Sequence, residues 1–164
     1  LARQLARPFT LRTQASSFSL VRHRSQGWFC LKPDLLVQEA AANRLVLDTK
    51  WKLLDGAKAN GSDKYGLSQA DFYQLHAYGQ NYLDGRGDVV LIYPRTDAFD
   101  QALPVFEFPK SSGLRLWVLP FCLQRRQLIL PACGSLDGCL LRGPSALAGR
   151  AAASDAAAQE AVLV

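Results

Sequence analysis

Short segments with apolar residues, separated by polar turns, run through residues 18–123, and their lengths are typical of β-strands. Seven segments predict strands: Phe18–Val21, Trp28–Leu31, Leu35–Val37, Leu45–Trp51, Val89–Tyr93, Val105–Phe108 and Leu114–Leu123. Hairpin turns are predicted at His23–Gly27 and Pro109–Gly113, and a polar connection is predicted to run up to Arg44. Residues 55–64 are rich in Gly, Asn, Ser, Asp and Lys, which indicates an exposed loop.

One amphipathic helix is predicted to begin at Ser68. The residues after it recur at helical spacing and predict one buried face, formed by Phe72, Leu75, Tyr78, Gly79 and Tyr82. Asp71 lies three residues after Ser68, which predicts a capping box with Asp in place of the usual Glu. The helix is expected to end at Asp84–Gly87. Five or more strands around one helix predict a mixed sheet of the α/β or α+β class.

The composition indicates one soluble globular domain. The 164 residues are 49% hydrophobic and 20% charged, which excludes a disordered chain, and Arg115 interrupts the best candidate for a membrane span. Cys30 and Cys122 lie in apolar segments and no C-x-x-C occurs, so we expect no zinc site and a cytoplasmic location. The three tryptophans are expected to pack in the core or at strand edges: Trp28, Trp51 and Trp117.

Three segments are expected along the chain. Residues 1–27 form a basic N-terminal segment, residues 28–123 the folded core, and residues 124–164 an Ala-rich tail that is expected to be poorly ordered. No methionine occurs, even at position 1, so we expect the sequence to be a fragment or a processed product.

Positive charge is concentrated at the start of the chain. Residues 1–33 contain five arginines, one lysine and no acidic residue, whereas the rest of the chain is close to neutral and the net charge is +5. A basic arm on a neutral body suits a polyanionic partner such as DNA. The alternative is a solvated surface segment.

Two aspartates and a lysine are the candidate chemical groups. Side chains alternate along a strand, so Asp48 and Lys50 point to one side and Thr49 to the other. A hairpin between neighbouring strands can bring Asp34, directly after Pro33, beside Asp48. Two converging carboxylates bind a hard cation such as Mg²⁺, and a nearby lysine can hold the attacking water and the phosphate, which is phosphodiesterase chemistry. The alternative is a surface turn followed by a solvated ladder of charges.

Two further charged residues have two interpretations each. Lys52 shares the strand face of Asp48 and Lys50, where it either contacts a phosphate or is solvated. Glu39 either joins the metal site or faces solvent, which is the usual situation of an acidic residue at a strand end.

The predicted helix adds a pair of residues that leads to a resemblance. Gln74 and Tyr78 are four residues apart and share one helix face. Together, P-D at 33–34, D-T-K at 48–50 and Q-x-x-x-Y at 74–78 resemble the PD-(D/E)xK nuclease superfamily. Three longer runs are similar to the McrC nuclease subunits of McrBC 5-methylcytosine-specific restriction systems: LDTKWK at 47–52, SQADFYQLHAYG at 68–79 and VLIYP at 90–94. The resemblance covers residues 8–123 and is strongest over 29–93.

The resemblance implies a restriction-endonuclease-like core over residues 28–123 and Mg²⁺-dependent cleavage of DNA in a defence system. It implies catalytic roles for five side chains, which are Asp34, Asp48, Lys50, Gln74 and Tyr78. Asp34, Asp48 and the backbone carbonyl of Thr49 are the implied metal ligands, and Lys50 is the implied catalytic lysine. The implied partner besides DNA is an AAA+ GTPase subunit of the McrB type. GTP is expected to bind only to that partner, because this sequence has no G-x-x-x-x-G-K-[ST] motif.

Two departures from the family keep alternatives open. Many relatives carry an acidic residue on a helix before the Pro-Asp strand, and residues 1–33 have none. The region that engages the GTPase is expected upstream of this sequence. The alternatives are therefore a catalytically inactive DNA-binding or assembly module, and a different PD-(D/E)xK nuclease that acts in repair or recombination.

Overall fold

The computed structural model describes residues 1–132, 136 and 138–140, which form nine strands and one α-helix. The elements in chain order are β1 (Thr10–Thr13), β2 (Phe18–His23), β3 (Gln26–Leu31), β4 (Leu35–Glu39), β5 (Ala42–Thr49), α1 (Gln69–Leu83), β6 (Gly87–Pro94), β7 (Phe106–Glu107), β8 (Leu114–Cys122) and β9 (Gln127–Leu128). Every predicted strand and the predicted helix are present. Two short strands, β1 and β9, have too little apolar pattern to be predicted.

Seven of the strands form one mixed sheet with the order β1-β4-β5-β6-β8, and both β7 and β9 pair with the far side of β8. The central strands β5, β6 and β8 are parallel, and all other pairs are antiparallel. Helix α1 lies between β5 and β6 in the chain, as a connection between parallel neighbours requires. The predicted fold class, a mixed α/β sheet, is confirmed.

Side chains cover both faces of the sheet, which explains the apolar sequence of β6. Val89, Leu91 and Tyr93 face the helix side, where they pack with the buried residues of α1, whereas Val90 and Ile92 face the other side. The opposite face is covered by the N-terminal segment and by the described residues near the C-terminal end. The alternation in β5 places Val46 and Asp48 on the helix side of the sheet.

The buried face predicted for α1 is confirmed. Its residues share one side of the helix, and all are buried except Phe72, which is partly buried: Phe72, Leu75, Tyr78, Gly79 and Tyr82. The helix ends at Asp84, which has a left-handed backbone conformation. The predicted capping box is wrong, because the Ser68 side chain makes no capping hydrogen bond. The described residues include no helix with the length and apolar character needed to cross a membrane.

The connection between β4 and β5 is shorter than predicted. Ala40 and Ala41 have φ angles of 45° and 72° and form a two-residue turn, so β5 begins at Ala42. Two positive φ angles are what a tight hairpin turn needs, although alanine rarely adopts them. The prediction of a polar connection up to Arg44 is therefore wrong.

Strands β2 and β3 form a separate two-stranded hairpin outside the main sheet. Trp28, in this hairpin, is 47% exposed, and Trp51, which follows β5, is 81% exposed, whereas Trp117 is 5% exposed and lies in the core. The prediction that tryptophans pack in the core or at edges is thus confirmed for Trp117 and wrong for Trp51, because the chain leaves the sheet after Thr49.

The expected division into three segments crosses several elements of this fold. The boundary between residues 27 and 28 falls inside β3, and β1 is an edge strand of the main sheet. Most of residues 124–164 lie outside the described residues, although β9 pairs with β8. The division itself remains a prediction.

Candidate functional site

Antiparallel pairing of β4 with β5 brings the two candidate aspartates together. Leu35 pairs with Leu47, so Asp34 and Asp48 are the next residues in the same register. Oδ2 of Asp34 accepts a hydrogen bond from the backbone N–H of Thr49 at 2.8 Å and another from the Thr49 hydroxyl. These bonds fix the Asp34 carboxylate against the end of β5.

Asp48 is the buried member of the pair, with 4% of its surface exposed. Its Oδ2 lies 2.6 Å from Nζ of Lys50, which is an ion-pair distance, but this oxygen accepts no hydrogen bond of good geometry from the described residues. Burial raises the pKa of the Asp48 carboxyl above its ordinary value, Asp34 adds to this rise, and the Lys50 ammonium opposes it. The Lys50 ammonium is therefore the partner that offsets part of the cost of burying this carboxylate.

A chain of hydrogen bonds holds Lys50 to helix α1. Nζ of Lys50 donates to Oε1 of Gln74 at 2.7 Å, and Nε2 of Gln74 donates to the Tyr78 hydroxyl at 3.0 Å. The Tyr78 hydroxyl donates in turn to the carbonyl of Lys32 at 3.0 Å, two residues before Asp34. Burial, together with the charge of Asp48, raises the pKa of Tyr78 to about 12, so this hydroxyl remains a donor at neutral pH.

The structure thus brings all the site residues predicted from the sequence into one region. Asp34, Asp48 and Lys50 lie at the carboxyl end of β5, and Gln74 and Tyr78 face them from α1. Their roles remain predictions. Glu39 lies at the other end of β4, where Oε2 is 2.9 Å from Nη2 of Arg44, so it is not part of the cluster.

Asp71 and Tyr93 are two residues of the cluster that sequence reasoning missed. The Tyr93 hydroxyl donates to Oδ2 of Asp71 at 3.0 Å, and Asp71 lies 3.7 Å from Nζ of Lys50 and 3.6 Å from Nζ of Lys52. Burial, followed by the negative charge of Asp71, raises the pKa of Tyr93. Asp71 lies three residues before Gln74 and therefore shares its helix face. This spacing could have predicted Asp71 as a member of the cluster, but Asp71 was interpreted as part of a capping box instead.

The donor set of the cluster suits a hard cation rather than a soft one. Asp34 and Asp48 offer carboxylate oxygens, and the described residues contain no group of three or more His, Cys, Asp or Glu side chains that could hold a metal. One or two carboxylates completed by water are sufficient for Mg²⁺, whereas zinc sites need three or four protein ligands. Oδ2 of Asp48 is a buried oxygen beside the Lys50 ammonium, and a bound cation can coordinate it as well.

Comparison with known proteins gives one family match and one structural match. The model of the family described as McrBC 5-methylcytosine restriction system component matches residues 1–94, which is more than half of the chain. No curated protein matches the chain. A chain from the refined half-complex of a tetradecameric assembly of Thermococcus gammatolerans McrB AAA+ hexamers with bound McrC is similar at 18% identity, with a TM-score of 0.49. The alignment covers 80% of the present chain and 27% of that one.

Proposed function

We propose that this chain, which belongs to the family of McrBC 5-methylcytosine restriction system components, carries the Mg²⁺-dependent DNA endonuclease site of such a system. The observation that carries the proposal is the convergence of Asp34, Asp48 and Lys50, in which the buried Oδ2 of Asp48 lies 2.6 Å from the Lys50 ammonium. Two carboxylates and a lysine at one sheet edge are the groups that metal-assisted phosphodiester hydrolysis uses.

Asp34 and Asp48 are the side chains proposed to hold Mg²⁺, with the backbone carbonyl of Thr49 as a third ligand. The cation, when bound, supplies a water of lowered pKa and positive charge for the phosphate oxygens. The Thr49 N–H and hydroxyl bonds already hold Asp34 in place, which lowers the ordering cost of binding a cation there.

Lys50 is proposed to place its ammonium against the attacking water and the negatively charged phosphate. Its present partners, Asp48 and Gln74, hold it at the sheet edge in a position that also faces solvent, because 24% of the Lys50 side chain is exposed. Gln74 and Tyr78 are positioning residues in this proposal, since they fix the lysine through hydrogen bonds and reach no reacting atom themselves.

The proposed partners follow from the family rather than from any contact in the chain. We propose that DNA is cleaved in concert with an AAA+ GTPase subunit of the McrB type, which binds and hydrolyses GTP. The specificity for 5-methylcytosine is then expected to belong to the complete system and not to the carboxylate site, which contacts only phosphate.

A cleavage assay tests the proposal. Supercoiled plasmid DNA with 5-methylcytosine is incubated with the chain, the GTPase subunit, GTP and Mg²⁺. Asp48→Ala and Lys50→Ala should each reduce cleavage by at least 100-fold, on the order of what the loss of a metal ligand or charge-stabilising group costs. Lys58→Ala is the matched control, because Lys58 lies in an exposed loop, and it should cleave as the wild type does.

Three outcomes contradict the proposal, the third of them in a comparison of linear with closed circular DNA. Unchanged cleavage by Asp48→Ala or Lys50→Ala would assign the activity to other residues. DNA binding without cleavage under any divalent cation, by a folded chain with its partner, would favour the catalytically inactive module instead. A preference for DNA ends over closed circles would indicate a repair-type nuclease.

A further inference from the structure

The hairpin formed by β2 and β3, residues 18–31, has little cover from the rest of the described chain. Every residue from 21 to 30 is exposed, and the exposed fraction is 46% for Val21, 47% for Trp28 and 70% for Phe29. A two-stranded hairpin is marginally stable without packing partners, and exposed aromatic side chains in such a position mark a binding surface.

The charge of this hairpin identifies the kind of partner. Arg22 lies in β2, Arg24 at the tip and Lys32 directly after β3, and none of the three forms an ion pair with the residues that the structure describes. Residues 1–33 contain no acidic side chain that could neutralise them. A protein surface usually presents charges of both signs, whereas a nucleic acid duplex presents a continuous row of phosphates.

The shape of the hairpin fits a groove of duplex DNA. A two-stranded ribbon can enter the major groove, which is about 12 Å wide, and six residues of strand extend roughly 20 Å. Phe29 has a φ of 58°, a backbone conformation that bulky residues rarely adopt, and such positions concentrate at functional sites. The Trp28 ring packs against His23 with 4.9 Å between centroids and is still 47% exposed, so that it and the 70% exposed Phe29 can contact bases or sugars. The backbone of the tip turns tightly because Arg24 and Ser25 both have positive φ.

The same helix that holds the site lysine also holds the base of the hairpin. The Tyr82 hydroxyl accepts a hydrogen bond from the N–H of Ser17 at 3.2 Å and lies 2.8 Å from the carbonyl of Leu31, to which it donates. The Phe18 ring packs edge-on against the Tyr82 ring with 4.8 Å between centroids. One turn earlier on α1, Tyr78 binds the carbonyl of Lys32 and connects to Gln74 and thus to the lysine. The hairpin therefore has a fixed position relative to Asp34, three residues after its last strand residue.

We infer that the β2–β3 hairpin is the element that binds duplex DNA beside the carboxylate site, with Arg22 and Arg24 on phosphates and Trp28 and Phe29 in the groove. The placement of the bound DNA beside the carboxylate site rests on the proposed nuclease function, whereas the binding of DNA by the hairpin does not. Because the hairpin is about 20 Å long at most, the contact lies within roughly six base pairs of the phosphate at Asp34 and Asp48.

Binding of a 30-base-pair duplex in EDTA, followed by fluorescence anisotropy of an end label, tests the inference without any cleavage. The variant is Arg22→Gln/Arg24→Gln, and the matched control is Arg125→Gln/Arg126→Gln, which makes the same charge change at two exposed residues between β8 and β9. If each hairpin arginine neutralises one phosphate, the negative slope of log K against log salt concentration should become shallower by about 1.8 in the variant. The affinity of the variant for DNA should then be roughly sixty-fold lower at about 0.1 M salt. The control should stay close to the wild type, and circular dichroism checks that both variants fold.

The outcomes separate this inference from the proposed function. Wild-type affinity in the hairpin variant, or an equal loss in the control, overturns the inference even if the chain cleaves DNA. A loss of affinity confined to the hairpin variant supports it even if no cleavage is seen. If the hairpin variant instead binds DNA normally but no longer binds the purified GTPase subunit, the surface is a protein interface and the inference is wrong.

Discussion

Replacement of Asp48 by Asn should stabilise the fold and remove the response to magnesium at the same time. The change keeps the shape of a side chain that is 4% exposed but removes its negative charge. In the native chain, burial disfavours the charged carboxylate, repulsion from Asp34 adds to the effect, and the attraction of Lys50 opposes it, with a raised pKa as the net result.

The sign of the stability effect follows from this raised pKa. A carboxyl whose pKa is higher in the folded state than its ordinary value of 3.8 binds its proton more tightly when folded, so stability is lost as the pH rises from below 3.8 through the raised pKa. Asn cannot ionise and avoids this loss. We expect a gain of about 1 kcal/mol in the free energy of unfolding at pH 7, because the cost of burying the charged carboxylate exceeds what the ion pair with Lys50 returns.

Urea unfolding followed by tryptophan fluorescence measures the free energy of unfolding of both proteins. The stability advantage of Asp48→Asn should shrink as the pH falls towards 3.8. In the presence of magnesium, the native chain should become more stable than Asp48→Asn. At a free concentration one hundred times its dissociation constant, a ligand that binds only the folded state adds about 2.7 kcal/mol, and we expect this addition for the native chain alone. Asp97→Asn makes the same change at an exposed residue and should alter neither quantity.

Two results would refute this reasoning. If Asp48→Asn is less stable than the native chain at pH 7, then the ion pair with Lys50 outweighs the cost of burial. If magnesium stabilises both proteins equally, the cation binds elsewhere, and the carboxylates have a structural role only.

Three further predictions concern the amino ends of β6 and β8 and the hydrogen bond that holds Lys50. Arg115→Ala should lower the free energy of unfolding, measured in urea, by about 3 kcal/mol, because Arg115 is a bidentate partner of the fully buried Asp88 carboxylate. A loss below about 0.5 kcal/mol, which is typical of a surface substitution, would show that the ion pair contributes little. Gly79→Ala should destabilise by about 1 kcal/mol, since its new Cβ would collide with the buried Leu114 side chain and the cost of overpacking exceeds the gain in helix propensity; a higher melting temperature would contradict this. Gln74→Leu should lower the kcat of the proposed DNA cleavage about ten-fold with little change in KM, because it removes the amide oxygen that accepts a hydrogen bond from Lys50. An unchanged kcat would exclude a positioning role for Gln74.

Several features of the fold could be read from local sequence pattern because they depend on burial. The apolar run of β6 and the helical spacing of α1 predicted their positions, since a strand buried on both faces and a helix buried on one face each need a characteristic pattern. Strand alternation also placed Asp48 and Lys50 on one side, and both now contact each other on the helix side of the sheet.

Other features depend on contacts that no local pattern records. Ala40–Ala41 form a tight turn with positive φ although alanine is not a typical turn residue, because the pairing of the flanking strands imposes that conformation. The Asp71 carboxylate looked like a helix cap in the sequence, but the tertiary structure brings Tyr93 and two lysines to it, which are stronger partners than a backbone N–H.

The sequence by itself therefore predicted a set of candidate side chains and the strand and helix face that carry them. Only the tertiary structure decided that Asp34 meets the end of β5, that Gln74 receives the lysine, and that the β2–β3 hairpin is anchored by Tyr82 with its aromatic residues exposed. The physical reason is that periodicity reports whether a residue is buried, whereas the identity of its partner depends on register and on elements far apart in the chain.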